Sequence, residues 1–463
     1  MFRGLLSFFR TKTGNAPAEV PPVAKVAVAD VGRPDVGRPE SQTYLRHRPI
    51  LDREQRVVAY ELTVERHRAL HSHQWQATSR KLFGDVLLWQ FAQARLDALL
   101  MQRLVFLPVG IGIIDHPALA SLPRRNVVLQ MAWHDEGSPG LPSTLLAGMT
   151  RLRELGFSLA CAHDLMDGDD GLAALADYVT VDVGQMAPPD LLDVQRRLSG
   201  RHQQKPLMAM NVDFIEMYHA CRKMRFGYFH GDFITCSEEA EGNVDLPPYK
   251  VAAMELLNAI RRQANHDELA EKAWSDPTLV LRLLRVVNSP AIRLRAPISD
   301  LKQAITYLGY DELYRWVTLL LFSSHRPEDR QPMENAWRET ALVRGRFMEV
   351  LAAGRLNTLE CSQLFVVGVL SMIDKLFRMS MQHAVEKFTL PPEVSNALLN
   401  HQGKFAGYLE LALACESGDQ ASIETLAADC GFDLNAVNRC QIEALEWVLG
   451  FTEAAEELAR DAG

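Results

Sequence analysis

The sequence predicts a multidomain protein in which an α/β barrel is followed by an all-α domain. Eight strand-like runs lie between residues 44 and 233, and amphipathic segments separate most of them. Strand signals almost vanish after that point, and helical patterns replace them. The chain has 463 residues, of which 48% are hydrophobic and 23% charged. This composition is typical of a globular protein with a sizeable core.

The first half begins with a segment of a different kind. Residues 1–42 are rich in Pro, Gly, Ala and Val and contain Val-Gly-Arg-Pro twice, which predicts a disordered tether. Residues 44–50 and 57–64 then predict a hairpin. Six further strand-like runs follow, at residues 104–109, 126–132, 157–162, 178–183, 206–212 and 228–233. Repeated β-then-α units favour a mostly parallel sheet, either doubly wound or closed, and eight strands favour a barrel over residues 43–238.

The second half is predicted to be helical. Acidic residues, Gly242 and the pair Pro247-Pro248 place the boundary before it, so the helical domain is expected over residues 243–433. Pro277 suits a first helical turn, and Gly309 suits a helix end that separates residues 300–308 from 312–322. Residues 434–463 are expected to form an acidic, amphipathic helical extension.

Composition excludes several classes of function. A formal net charge of −9 gives no general attraction to nucleic acid, so no nucleic-acid partner is expected. Seven scattered cysteines form no C-x-x-C pair and no Cys/His spacing suited to zinc, which predicts reduced thiols and no metal or other cofactor. The longest apolar run, residues 364–373, is too short to span a membrane. We therefore expect a cytoplasmic protein without a transmembrane segment.

Short runs of the first half occur in a fixed order. They are Arg48-Pro49-Ile50, Tyr60-Glu61-Leu62, Phe106-Leu107-Pro108-Val109, Val127-Val128-Leu129-Gln130, Asp177-Tyr178-Val179-Thr180-Val181-Asp182 and His230-Gly231. In this order they resemble the EAL family of cyclic di-GMP phosphodiesterases, which implies a TIM-like barrel of the EAL type.

Runs of the second half also occur together. They are Asp276-Pro277, Leu283-Leu284-Arg285-Val286-Val287-Asn288-Ser289, Ala304-Ile305-Thr306-Tyr307-Leu308-Gly309 and the stretch from Phe365 to Asp374. This set resembles the HDOD family, which is related to the HD phosphohydrolases. A tandem of the two resembles bacterial signalling proteins of the YuxH-like EAL/HDOD type.

The EAL resemblance implies which side chains catalysis would need. Hydrolysis in that family needs one or two Mg²⁺ or Mn²⁺ ions, which bind to carboxylate and amide oxygens at the C-terminal rim of the barrel. Glu61 and Asp182 keep two of the family's acids. The family's asparagine, next glutamate, catalytic lysine and last glutamate fall on Pro108, Gln130, Thr180 and Met210.

The family's paired aspartates have two alignments here. They fall on Ala162 and His163 without a gap, or on His163 and Asp164 with a one-residue insertion. Asp213 adds an acid three residues after Met210. The resemblance therefore implies a vestigial pocket without catalytic or metal-ligating function, made of Glu61, Gln130, Asp164, Asp182 and Asp213.

Binding of the dinucleotide without hydrolysis is a separate question. The resemblance implies a phosphate-contacting arginine four residues after the motif glutamate, and this position holds Glu65. A carboxylate repels a phosphate, so cyclic di-GMP is not expected to bind. His230 stands in place of the family's glutamine and is expected to be a plain rim histidine.

The helical half shows no phosphohydrolase motif. Ser371 and Met372 stand where the related HD enzymes have their His-Asp pair. The one adjacent pair of that kind, His266-Asp267, is expected in a solvated turn. Asn288 and Ser289 suit a helix end, and a partner-binding lip is the alternative.

A basic face lies near that helix end. Arg282 and Arg285 are three residues apart on one predicted helix. They suit either a solvated surface or contact with nucleic acid or an acidic partner.

These observations predict a non-catalytic signalling scaffold that acts through an unidentified protein partner by its HDOD domain. A weakened cyclic di-GMP phosphodiesterase and a non-hydrolysing cyclic di-GMP receptor are the alternatives. Self-association of the chain is left open.

Overall fold

The protein is described by a computed structural model that covers residues 44–65, 103–110, 114–132, 141–166, 169–184, 186–201, 205–235, 246–288, 298, 300–321 and 333–460. The predicted tether therefore lies outside the described residues. None of the helices in this part of the chain is long and apolar enough to cross a lipid bilayer.

Eight strands close into a barrel in chain order, as the strand count predicted. They are β1 (Tyr44–Asp52), β2 (Val57–Glu65), β3 (Leu104–Gly110), β4 (Val127–Ala132), β5 (Ser158–Ala162), β6 (Tyr178–Asp182), β7 (Leu207–Met210) and β8 (Tyr228–His230). Strand β1 is antiparallel to both β2 and β8, whereas all other neighbours are parallel. The predicted hairpin is therefore built into the wall of the barrel.

Helices follow the strands because their apolar residues recur at helical spacing and cover the outer face of the barrel. In the described part of the first half they are α1 (Leu141–Glu154), α2 (His163–Met166), α3 (Asp170–Leu175), α4 (Pro188–Arg201) and α5 (Ile215–Lys223). A 3₁₀ turn, Asp232–Ile234, follows β8 directly.

The second half is helical in all its described residues apart from turns and one isolated β-bridge. Its helices are α6 (Pro248–Arg261), α7 (His266–Trp274), α8 (Pro277–Val287), α9 (Leu301–Leu321), α10 (Glu334–Ala352), α11 (Thr358–Leu370), α12 (Ile373–Phe377), α13 (Met381–Glu386), α14 (Pro392–Asn400), α15 (Ala406–Ser417), α16 (Gln420–Asp429) and α17 (Leu434–Arg460). Gly309 interrupts α9 with a φ of +73°, the left-handed conformation that glycine adopts most easily.

The barrel and the helical half are docked through a buried, hydrogen-bonded interface. One continuous apolar core runs through both halves. The Tyr60 hydroxyl donates to Glu339 Oε1 at 2.5 Å, and both side chains are buried. Further bonds cross the interface, among them Tyr44 Oη to Cys415 O, Leu45 N to Asn438 Oδ1, Met333 N to Gln55 Oε1 and Trp337 Nε1 to Ile234 O. Polar groups of each half thus find hydrogen-bond partners in the other, which favours a single docked arrangement.

Helix α17, expected as an extension, is part of this arrangement. It lies against α10 and contacts β1 through Asn438. The C-terminal helix therefore joins the two halves rather than projecting from the helical domain.

Candidate functional site

The mouth of the barrel is the natural place for a site, because the C-terminal ends of its parallel strands converge there. Below the mouth, the interior is filled by an apolar layer that includes Ile50, Ala59, Phe106, Val128, Ala160 and Met208. Side chains alternate along a strand, so the next inward position on each strand forms a second layer at the mouth. We call this layer the mouth ring. Its members are Arg48, Glu61, Pro108, Gln130, Ala162, Thr180, Met210 and His230.

The mouth ring contains three ionisable side chains, and they lie together. His230 Nε2 is 3.0 Å from Glu61 Oε2, and both side chains are buried. Arg48 lies opposite Glu61 on the neighbouring strand. Burial pushes the pKa of Glu61 up, but the contact with His230 and the charge of Arg48 outweigh it and hold the pKa below its usual range. Glu61 is therefore an ionised carboxylate that is already paired.

The rest of the mouth ring is neutral. Thr180 and Met210 are buried, and Pro108 and Ala162 offer no side-chain oxygen. Gln130 Oε1 is buried and has no hydrogen-bond partner among the described residues. A single amide oxygen is a weak ligand for a hard divalent cation.

The remaining predicted pocket acids lie outside the ring. Asp182 is exposed and accepts hydrogen bonds from Gly184 N at 3.0 Å and Asn211 Nδ2 at 2.9 Å. Asp164 is exposed in α2 and accepts from Leu165 N. Asp213 is partly buried, and its pKa is raised by burial and by the nearby charge of Asp232.

A divalent cation does not fit this donor set. Such ions take six or more oxygens, several of them from carboxylates. Glu61 is the only carboxylate in the mouth ring, and it already contacts His230 and faces the guanidinium-bearing Arg48 on the neighbouring strand. Within the described residues, no three His, Cys, Asp or Glu side chains converge closely enough to hold a metal ion.

His230 was expected to be a plain rim histidine; it does lie in the mouth ring, but it is buried rather than solvated. Its side chain is only 1% exposed, and it contacts Glu61. Strand alternation could have placed both residues inward, but their proximity depends on the pairing of β1 with both β2 and β8. No periodic pattern in the sequence indicates that pairing.

The residues predicted in the helical half are placed as follows. Asn288 ends α8, where its side chain donates to Leu284 O at 2.8 Å and Ile298 O at 2.7 Å. Arg282 is partly buried in α8. Arg285 lies on α8 too, but its side chain is outside the described set, as are Ser289 and the side chain of Glu65.

The expectation of a solvated turn at His266-Asp267 is wrong. Both residues belong to the first turn of α7, which begins after Asn265. The Asn265 side chain accepts from Glu268 N, and Asp267 pairs with Lys302. The capping amide and the acidic first turn explain why a helix begins here.

Comparison with known proteins supports the two-part organisation. The model of the HDOD domain family matches residues 246–396. "Cyclic di-GMP phosphodiesterase CdgJ" of Vibrio cholerae is 22% identical over 409 residues, which are 88% of this chain and 92% of the relative. "Uncharacterized protein YuxH" of Bacillus subtilis is 24% identical over 430 residues, which are 89% of this chain and 100% of the relative.

A solved structure is similar to the first half. It is the Bacillus subtilis YkuI protein, with an EAL domain, in complex with c-di-GMP and calcium. It is 13% identical with a TM-score of 0.34, and the match covers 50% of this chain and 72% of the solved chain.

Proposed function

For a chain that joins an EAL-like barrel to an HDOD domain, we propose the role of a non-catalytic signal-transduction scaffold. The scaffold acts through protein–protein contact by its HDOD domain. Its EAL-like barrel links it by descent to cyclic di-GMP signalling, the field in which the relative CdgJ is named.

The chemistry of the mouth ring carries this proposal. Phosphodiester hydrolysis in a metal-dependent barrel requires a cation that activates water and neutralises phosphate charge. Here the one ring carboxylate, Glu61, is paired with His230 and lies beside Arg48. Thr180, at the family's lysine position, has no basic group to assist water. The ring therefore lacks both a metal-binding set and a replacement for it.

Cyclic di-GMP is not the expected ligand of this mouth. Arg48, the cation best placed to meet a phosphate, already lies beside Glu61 and 3.8 Å from Asp232 Oδ1. Asp213 lies close enough to Asp232 for their charges to interact. A phosphate at this edge would meet two carboxylates, which disfavours binding.

Turnover of cyclic di-GMP by the purified full chain in Mn²⁺ tests the proposal. We expect no hydrolysis above the level of Glu61→Ala, because that variant removes the only ring carboxylate. A matched control is Glu393→Ala, which removes an exposed acid of α14 far along the chain from the mouth.

The two alternatives, a phosphodiesterase and a non-hydrolysing receptor, are distinguished by turnover and by calorimetry. Turnover that persists in Glu393→Ala and is abolished in Glu61→Ala would establish a phosphodiesterase, which the name of CdgJ favours. Saturable micromolar binding in calorimetry, without turnover, would establish a receptor.

A further inference from the structure

We propose that a partly buried chain of charges couples the mouth of the barrel to the core of the helical domain; Asp232, with a side chain 38% exposed, is its most exposed member. We call it the charge chain; it runs from Glu61 through Arg48, Asp232, Arg46, Glu416 and Arg344 to Ser371. The inference deepens the proposed function, on which it rests, because it gives the scaffold an internal route from barrel to HDOD domain.

The first links lie within the barrel. Glu61 and Arg48 face each other across β1 and β2, and the charge of Arg48 helps to lower the pKa of Glu61. Arg48 Nε is 3.8 Å from Asp232 Oδ1. Asp232 begins the 3₁₀ turn that follows β8, two residues after His230. Asp232, just outside the mouth ring, therefore lies near both Arg48 of the ring and Arg46 of the interface.

Arg46 carries the chain across the interface. Its Nη2 lies 3.2 Å from Asp232 Oδ1 and donates to the backbone oxygen of Glu416 at 2.7 Å. The residue is 2% exposed, so its charge depends on these protein partners. Gly418 allows this approach, because a Cβ there would lie 2.6 Å from the Arg46 guanidinium.

The last links lie inside the helical half. Arg344 on α10 forms two parallel bonds to the Glu416 carboxylate, from Nε at 2.7 Å and from Nη2 at 2.6 Å. Its third donor, Nη1, reaches Ser371 Oγ at 2.6 Å. Ser371 stands where the resemblance places a metal-ligating residue of the HD enzymes. The charge chain therefore joins the mouth ring to the position that corresponds to the HD site.

Coupling follows from the alternation of charge along the chain. Water is largely excluded from Glu61, Arg46 and Arg344, so the ion pairs there are weakly screened and polarise their neighbours, whereas Asp232 is more strongly screened. Losing one charge redistributes the partners of the next. Neutralising Glu61 leaves Arg48 free to bind Asp232 more closely, which weakens the hold of Asp232 on Arg46. Arg46 and the end of α15 then lose part of their shared contact.

Amide hydrogen exchange on the full chain tests this route. Glu61→Gln is expected to speed exchange at least threefold in residues 413–418, at the end of α15, although these residues are distant in sequence from the mutation. Asp182→Asn is the matched control, since it removes a carboxylate from the same rim that accepts hydrogen bonds from Gly184 and Asn211 of the barrel.

Interrupting the charge chain distinguishes coupling along it from a general effect of Glu61→Gln on stability. In an Arg46→Met background, Glu61→Gln is expected to cause no further change at residues 413–418. If the Arg46→Met variant does not fold, Asp232→Asn interrupts the charge chain one link earlier and serves the same purpose. The inference is overturned if Glu61→Gln acts no more than Asp182→Asn does, or if its effect survives the cut. Neither result bears on turnover of cyclic di-GMP, so the proposed function is tested separately.

Discussion

Replacement of Lys250 by methionine is expected to lower the free energy of unfolding by about 3–5 kcal/mol. Lys250 Nζ lies 3.0 Å from Glu334 Oε1, and the two side chains are 1% and 3% exposed. The pair connects α6, the first helix of the HDOD match, to α10 in the core. Burial lowers the pKa of Lys250, whereas Glu334 opposes this and stabilises the charged form. Removing the ammonium takes away the buried cation that faces the Glu334 carboxylate, and chemical denaturation of the full chain measures the cost.

The double variant Lys250→Met with Glu334→Leu is the control for this prediction. It removes both charges, so it is expected to recover at least half of the lost stability. A double variant no more stable than Lys250→Met would show that the cost arises from lost packing and not from loss of the ion pair with Glu334.

Gly418→Ala is expected to destabilise the docked arrangement of barrel and helices by about 3 kcal/mol. Gly418 has a φ of +74°, and a Cβ there would collide with the Arg46 guanidinium. That guanidinium is 3% exposed and cannot move aside without losing its bonds to Glu416 and Asp232. Thermal or chemical unfolding monitored by tryptophan fluorescence measures the effect.

Gly403→Ala separates the two contributions. Gly403 has a φ of +87°, but a Cβ there would meet no atom within 4 Å. Its substitution is expected to cost only the backbone strain, about 1 kcal/mol. Equal costs at Gly403 and Gly418 would contradict the role assigned to Arg46 at the interface.

Much of the fold follows from local pattern. Alternating and apolar runs predicted all eight strands, and the closed barrel confirms the count. Gly309 was predicted to end a helix, and its left-handed φ interrupts α9 at that position. These features depend on neighbours in sequence, so periodicity and turn chemistry are sufficient to indicate them.

The contacts that define the site are of a different kind. The pairing of His230 with Glu61 and the bridge from Arg46 to Glu416 join residues 169 and 370 positions apart in the chain. No local pattern distinguishes a solvated histidine or arginine from one held by such a partner. The docking of the helical half onto β1 also depends on the shape of two complete surfaces, which composition does not encode.

The positions that correspond to the EAL family's site residues could be predicted only in part. Gln130, Thr180 and Met210 were placed by resemblance alone, and strand alternation in the structure puts each at the mouth ring. Asp182 and Asp164 lie on the rim, where they bind backbone or amide donors. The proposal of a vestigial pocket therefore rests on Glu61 and its neighbours Arg48 and His230 rather than on a cluster of acids.

Direct titration of the purified full chain with Mn²⁺, monitored by the electron paramagnetic resonance of the free ion, addresses the central claim. Because Glu61 is paired with His230 and lies beside Arg48, and the other five side chains of the mouth ring are neutral, we expect no saturable binding below millimolar concentration and no difference between the wild type and Glu61→Ala. One tightly bound Mn²⁺ per chain, lost in Glu61→Ala, would contradict the account.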